Sequence, residues 1–162
     1  MLELKRLLAG ETESIPFDIA LGMAGLSPDI VNGECRAVGE CRGSSDHITL
    51  KARLECVFTA VCARCCRQFE TRLTHSFEFP VAERLVNDEE DDRFLLMQDG
   101  ALDIESVCGE QLILNLPLRF LCREGCKGLC PVCGADLNAG ACSCGGKRID
   151  PRMEKLKEYF KK

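Results

Sequence analysis

The stretch ITLKARLECVFTAVCARCCRQFETRLTHSFEFPV, residues 48–81, has the clearest strand pattern in the chain. Apolar and polar side chains alternate along residues 48–60, and they alternate again from Phe69 to Val81. A period of two over such a length predicts half-buried antiparallel strands. Between the two strands stands Cys62-Ala63-Arg64-Cys65, which predicts the turn of a long hairpin with two thiols at its tip.

Two helices are predicted after the hairpin. Asp103 is a helix cap, and the pattern that follows predicts a helix over 104–116 that Pro117 ends. Its run Leu112-Ile113-Leu114 is apolar on all sides, so we expect that half of the helix to be buried against the sheet. Asp150-Pro151 begins a second helix, which is basic and carries one apolar stripe.

Two earlier segments complete the fold prediction. Alternation over 15–21 indicates an edge strand that contains Pro16, and 31–41 indicates another strand. The expected class is α+β: an antiparallel β-rich body with a long hairpin and one buried helix, followed by a cysteine-rich zinc knuckle and a C-terminal helix. We expect the body to span residues 1–118 and the knuckle and basic helix to span 119–162, packed as one unit.

Residues 122–144 read CREGCKGLCPVCGADLNAGACSC and contain six cysteines. In the turn Cys130-Pro131-Val132-Cys133-Gly134, proline presets φ and glycine accepts a positive φ, which points backbone N–H groups at the sulfurs. Cys142 and Cys144 follow after a gap of eight residues. Four sulfurs about 2.3 Å from one ion form the closed geometry of structural zinc. We therefore predict a zinc site with four ligands, Cys130, Cys133, Cys142 and Cys144.

Four further cysteines have metal-ligand spacing: Cys62, Cys65, Cys122 and Cys126. They form a second tetrahedron, or they compete with the 142/144 pair for one ion. An iron–sulfur cluster and a metal-free cluster remain as alternatives to zinc, although the ferredoxin spacings are absent. A thioredoxin-type redox pair is disfavoured because neither Cys-x-x-Cys pair has a βαβ setting.

Composition favours a globular protein of the cytoplasm. The chain has 162 residues, of which 46% are hydrophobic and 13 are cysteine. It contains no run of 18 apolar residues, so the sequence predicts no membrane span. The first 17 residues lack the apolar core of a signal peptide. Thiols stay reduced in the cytoplasm, so this many cysteines there indicate metal ligands rather than disulfides.

Charge is distributed unevenly along the chain. Residues 1–118 have 11 Lys and Arg against 21 Asp and Glu, a net charge of −10, whereas 119–162 have 10 against 5, a net +5. A basic end predicts a contact with an anionic partner, or else it neutralises an anionic metal–thiolate cluster. The acidic run at 87–92 is typical of a solvated loop, with a cation site as its weaker alternative.

Three stretches together resemble the YceD family, the large ribosomal RNA subunit accumulation proteins. They are VCARCCRQFE (61–70), the run ILNLPLRFLC (113–122) with GCKGLCPVCGADLNAGACSC (125–144) after it, and IDPRMEKLKEYF (149–160). The start of the helix at Asp103-Ile104-Glu105-Ser106 is similar as well. The resemblance implies a bacterial or plastid factor that is needed for normal accumulation of large-subunit rRNA.

Two hypotheses of function follow. The first is a non-catalytic zinc-containing factor in large-subunit biogenesis that binds rRNA or a basic ribosomal protein. The second is a zinc- or thiol-dependent enzyme acting on RNA, which all-cysteine ligands disfavour because catalytic zinc keeps an open position. Eight basic residues are the predicted contacts with the partner: Arg119, Arg123, Lys127, Lys147, Arg148, Arg152, Lys155 and Lys157.

Overall fold

A five-stranded sheet forms the body of the protein in the computed structural model, which describes residues 1–43, 47–83 and 94–144. The elements in chain order are β1 (Leu2–Glu3), α1 (Lys5–Leu8), β2 (Ser14–Gly22), β3 (Ile30–Gly43), β4 (Ile48–Val61), β5 (Gln68–Ala82), β6 (Leu95–Leu96), β7 (Ala101–Leu102) and α2 (Ile104–Asn115).

The sheet has the strand order β2-β3-β4-β5-β6. Its first three pairings are antiparallel, and the short β6 joins β5 in parallel. The four long strands confirm the four predicted from alternation, with bounds that differ by one or two residues. Pro16 lies in β2 at the edge of the sheet, where a missing backbone donor interrupts no ladder.

The core lies on one face of the sheet and is centred on β4. Seven alternate residues of β4, from Ile48 to Ala60, are buried, and their neighbours along the strand are exposed or half-buried. Each buried apolar side chain of this kind contributes about 1.5–3 kcal/mol relative to exposure. The same strand carries the hairpin turn about 45 Å from the start of β4, at roughly 3.3 Å per residue.

Helix α2 covers this core face and contacts β2 and β4. Asp103 caps it, as predicted, because its carboxylate accepts a hydrogen bond of 3.2 Å from the Ser106 N–H. The predicted burial of its second half is wrong. Leu112 is 1% exposed, but Ile113 is 54% exposed and Leu114 is 75% exposed. One stripe of the helix faces the sheet, and these two residues lie off that stripe.

Two predicted segments fall outside the described residues. These are the C-terminal helix from Asp150 and the acidic run at 87–92. The division of the chain at residue 118 stays a prediction. Within the described residues, the structure has no helix with the length and apolar character that a membrane crossing needs.

Candidate metal centre

The hairpin turn between β4 and β5 positions the first two thiols. The Cys62 N–H donates to the carbonyl oxygen of Arg67, and the Cys66 N–H donates to that of Cys62, both at 2.9 Å. Cys66 takes a positive φ of 56°, which closes the turn. Cys62 and Cys65 are buried as a result, whereas Cys66 is exposed to solvent.

The segment after α2 brings two more thiols to this turn. Phe120 is 5% exposed, and its ring meets Phe58 edge to face with ring centroids 5.4 Å apart. The Ala63 N–H donates to the Phe120 carbonyl oxygen at 2.9 Å. These two contacts fix the chain against the tip of the hairpin, so that Cys122 and Cys126 reach Cys62 and Cys65.

The four sulfurs of Cys62, Cys65, Cys122 and Cys126, here called the hairpin tetrad, lie within 4.8 Å of one another. The Cys62 and Cys126 sulfurs are 3.8 Å apart, and the Cys65 and Cys122 sulfurs are 3.7 Å apart. A tetrahedral ion with four sulfurs at about 2.3 Å separates those sulfurs by about 3.8 Å. The spacing thus fits a single zinc-sized ion.

The thiols of the hairpin tetrad differ in their pKa values. Burial raises the pKa of Cys62, but backbone hydrogen bonds from Cys122 and Arg64 outweigh it and lower that pKa to about 6. Burial and the neighbouring sulfurs raise the pKa of Cys122 to about 12. Closely spaced thiolates repel one another, so without a cation only part of the set ionises. A divalent ion at the centre favours four thiolates and releases the remaining protons.

The sulfurs of Cys130, Cys133, Cys142 and Cys144, here called the knuckle tetrad, also lie within 4.8 Å of one another. The turn at Cys130 has the expected form, since the Gly134 N–H donates to the Cys130 carbonyl oxygen at 2.9 Å and Gly134 has φ of 73°. Backbone hydrogen bonds from Cys133 and Val132 lower the pKa of Cys130 to about 6. Hydrogen bonding with Cys133, together with burial, raises the pKa of Cys144 to about 12.

Arg64 joins the two tetrads from the tip of the hairpin. Its guanidinium donates to the Cys126 carbonyl oxygen at 2.8 Å and to that of Glu124 at 3.3 Å. Its own carbonyl oxygen accepts a 3.1 Å hydrogen bond from the Leu129 N–H. Gly128 lies against this carbonyl with φ of 74°, and a Cβ there would come within 2.8 Å of the Arg64 oxygen. Glycine is therefore required where the knuckle docks on the hairpin.

The donor sets fit zinc. Each tetrad offers four sulfurs, and neither includes a histidine or carboxylate among the described residues. In the hairpin tetrad, sulfurs 3.7–3.8 Å apart leave room for one ion and not for several irons with bridging sulfides. Both tetrads are closed sets of four, which is the arrangement of structural zinc. The structure places Cys62 and Cys65 with Cys122 and Cys126, in a group separate from that of Cys142 and Cys144.

The remaining five cysteines belong to neither tetrad. Cys35, Cys41, Cys56 and Cys108 are buried in the core between β3, β4 and α2, and Cys66 is exposed. Burial raises the pKa of Cys41 to about 12 and the pKa of Cys108 to about 11. These core thiols are therefore neutral and behave as small apolar side chains.

The predicted basic contact residues are described only in part. Arg119, Arg123 and Lys127 are exposed beside the hairpin tetrad. Arg123 also donates to the Asn138 side chain at 2.8 Å. The other five lie outside the described residues: Lys147, Arg148, Arg152, Lys155 and Lys157. Sequence reasoning missed Arg64, Arg67 and Asn138, whose roles depend on contacts between segments far apart in the chain.

The geometry of the two tetrads can be compared with known proteins. The family model for the large ribosomal RNA subunit accumulation protein YceD matches residues 50–159, a span that includes both tetrads. The chain belongs to the YceD family. This membership confirms the resemblance drawn from the cysteine motifs, and the match also covers most of β4 and all of β5.

Three relatives illustrate the reach of the YceD match. An uncharacterized protein of Mycobacterium tuberculosis is 36% identical over 103 residues, which are 61% of this chain and 49% of that protein. A maize protein named as a chloroplastic YCED homolog, a large ribosomal RNA subunit accumulation protein, is 34% identical over 64 residues, 39% of this chain and 22% of its own length. An uncharacterized protein of Bacillus subtilis is 26% identical over 101 residues, 59% of each chain.

The chain spans about half the length of the mycobacterial relatives that it matches. No solved structure matches this chain.

Proposed function

We propose that the protein is a non-catalytic, zinc-containing factor of the cytoplasm that supports accumulation of large-subunit rRNA by binding that rRNA during ribosome biogenesis. Its membership of the YceD family supports the process. The proposed role of zinc and the RNA contact rest on one observation, the pair of closed all-sulfur tetrads. The knuckle docks on the hairpin through backbone hydrogen bonds, and exposed basic side chains lie beside this junction.

Zinc has a structural role in this proposal. Four cysteines fill the coordination sphere of each ion, so neither site keeps a position for water or substrate. Metal binding would supply folding energy to the cysteine-rich segment 122–144, which has few buried apolar residues of its own. This arrangement favours a binding factor over the alternative, a zinc- or thiol-dependent enzyme acting on RNA.

The proposed RNA contact is the basic end of the chain. Arg119 and Lys127 are exposed next to the hairpin tetrad, and Lys147, Arg148 and Arg152 follow in the same net-positive segment. Lys and Arg contacts with phosphates give affinity that falls steeply with salt and depends little on sequence. The acidic 1–118 segment, at net −10, repels bulk RNA and confines the contact to this end.

A second candidate partner is a basic ribosomal protein. The acidic charge of residues 1–118 favours it, because such a surface attracts a cationic protein before delivery to the rRNA. Charge reversal at the basic end separates the two partners, since only the rRNA contact depends on that end.

The test is charge reversal at Lys147, Arg148 and Arg152, all to Glu, with Lys51, Arg53 and Arg72 to Glu as the matched control on the sheet. Binding to in vitro large-subunit rRNA transcripts is measured across a salt series, with zinc content as the folding control. We expect the first variant to bind more weakly and to have a salt slope smaller by about two to three, roughly one for each phosphate that it no longer neutralises. An unchanged slope, together with normal rescue of rRNA levels in a deletion strain, would reject the basic end as the working surface.

A further inference from the structure

Asn138 belongs to the knuckle by sequence but contacts the other tetrad. It lies between Cys133 and Cys142, in the loop that the knuckle tetrad closes. Its side-chain Nδ2 nevertheless donates to the sulfur of Cys126, a member of the hairpin tetrad, at 3.5 Å. Asn138 is thus a polar side chain of one tetrad's loop that donates to a sulfur of the other tetrad.

The four partners of the Asn138 amide fix its orientation. Its Oδ1 accepts from Arg123 at 2.8 Å and from the Lys127 N–H at 2.9 Å. Its Nδ2 donates to Asp136 Oδ1 at 2.7 Å and to the Cys126 sulfur. The oxygen faces two donors and the nitrogen faces two acceptors, so a flipped amide would lose all four bonds.

Asp136 and Gly128 hold the loop of Asn138 against the hairpin. The Asp136 carboxylate accepts from the Asn138 N–H at 2.9 Å and from Arg67 of the hairpin at 3.2 Å. The Leu137 N–H donates to the Gly128 carbonyl oxygen at 3.0 Å. Asn138 therefore reaches Cys126 only when the loop between Cys133 and Cys142 is ordered.

A hydrogen bond to a ligand sulfur matters for metal affinity. Four thiolates around a divalent ion leave a net charge of about −2, and here three of the four sulfurs belong to buried cysteines. A donor aimed at one of these sulfurs offsets that charge and fixes the ligand's orientation. Loss of such a partner typically lowers metal affinity by about 10- to 100-fold.

We propose that Asn138 couples the two tetrads, so that metal in the knuckle tetrad raises the metal affinity of the hairpin tetrad. This inference rests on the proposed metal binding at both tetrads. Metal at the knuckle orders the loop that presents Asn138, and the ordered Nδ2 stabilises the Cys126 thiolate. Linkage makes the effect reciprocal, because metal at the hairpin raises knuckle affinity by the same factor.

The test uses Asn138→Asp and Asn138→Ala, each alone and combined with Cys142→Ser and Cys144→Ser, which disable the knuckle tetrad. Asn115→Asp is the control, since its amide donates within α2 to the Gln111 carbonyl oxygen, away from both tetrads. Zinc affinity of the hairpin tetrad is measured by competition with a chelator. Site occupancy is counted by native mass spectrometry, and cobalt-substituted protein reports the thiolate-to-cobalt absorption bands.

We expect both Asn138 substitutions to weaken zinc at the hairpin tetrad by about 10- to 100-fold and to shift its cobalt bands. While the hairpin tetrad holds zinc, the knuckle tetrad should lose affinity by the same factor. In the protein with a disabled knuckle, the hairpin tetrad should already be weak, and Asn138→Asp should weaken it little further. Equal losses in both backgrounds would overturn the coupling. Two zinc ions bound with unchanged affinity in Asn138→Asp would overturn this inference alone, whereas wild-type protein without metal would overturn the proposed zinc sites as well.

Discussion

The hairpin tetrad and the knuckle tetrad each consist of four cysteine sulfurs, but they differ in the parts of the chain that they bring together. The pairs at 3.7–3.8 Å in the hairpin tetrad join cysteines 57 and 64 positions apart, and three of its cysteines are buried. The knuckle tetrad lies wholly within 130–144, and its Cys133 is exposed. Closing the longer loop costs only about 1 kcal/mol more in chain entropy. The difference therefore lies in the contacts that a metal at each tetrad would maintain.

Metal at the hairpin tetrad would hold the C-terminal segment on the sheet, whereas metal at the knuckle tetrad would hold one loop in shape. Arg64 and Phe120 support the first junction through backbone and ring contacts. The knuckle has a turn and one isolated bridge, Leu129 with Asp136, as its regular backbone pairing among the described residues. Three perturbations test these two roles, and a fourth tests the buried thiols of the sheet core.

Complete metal removal should have the largest effect. Zinc binding to a structural site contributes on the order of 10 kcal/mol, so a chelator should unfold residues 119–144 while β4 and its neighbours persist. Hydrogen exchange measured by mass spectrometry should show fast exchange in 119–144 and continued protection of 48–60. Readdition of zinc is the control for reversibility. Unchanged protection of 119–144 after chelation would show that metal does not keep this segment folded.

Loss of one ligand should distinguish the tetrads. Cys65→Ser should lower bound zinc and release the whole 119–144 segment to proteases, because it breaks the junction with the sheet. Cys133→Ser should lower bound zinc as well, but the cleavage should be confined to residues 127–144. Limited proteolysis with mapped cleavage sites checks the prediction. Identical cleavage patterns in the two variants would show that the tetrads do not have separate roles.

Gly128→Ala should weaken the docking of the knuckle on the hairpin. A Cβ at this position meets the Arg64 carbonyl oxygen at 2.8 Å, and φ of 74° is strained for alanine. We expect a loss of about 3 kcal/mol in the free energy of unfolding from the strain and the clash together. Gly134→Ala is the matched control, because Gly134 has φ of 73° with no atom within 4 Å of its Cβ position, so it should lose only about 1 kcal/mol. Equal losses in denaturant titrations would argue against the contact.

The buried core thiols should make the protein less stable at alkaline pH. Burial raises the pKa of Cys108 from the ordinary value of 9.0 to about 11. The native state then keeps a proton that the unfolded state loses, so this stability contribution is full below pH 9.0 and falls as the pH rises towards 11. At about pH 10 the loss is about 1 kcal/mol. Cys108→Ala should therefore lose less stability than wild type between about pH 7.5 and 10, and parallel curves in urea titrations would contradict the prediction.

The sheet could be predicted from the sequence almost to its ends because alternation is a local signal. The strand expected over 15–21 is Ser14–Gly22, and the one over 48–60 is Ile48–Val61. The burial of α2 could not be predicted by counting apolar residues. Ile104, Val107, Cys108 and Leu112 follow the helical period and form the buried stripe, whereas Ile113 and Leu114 turn about 100° and 200° away from Leu112.

The same contrast applies to the site. Ligands of the knuckle tetrad are close in sequence, so spacing alone groups them. The hairpin group could be predicted only through the length of the strands, which carry Cys62 and Cys65 to one end of the sheet. Asn138 and Arg64 follow no spacing rule, because their function depends on which segments meet in space. Metal binding and RNA binding stay predictions.

Native mass spectrometry of the purified full chain shows whether both tetrads hold zinc. We expect two zinc ions per chain, each with the mass deficit of the thiol protons released on binding, and their loss after chelation. Protein that carries no metal, or iron with inorganic sulfide instead of zinc, would contradict this prediction.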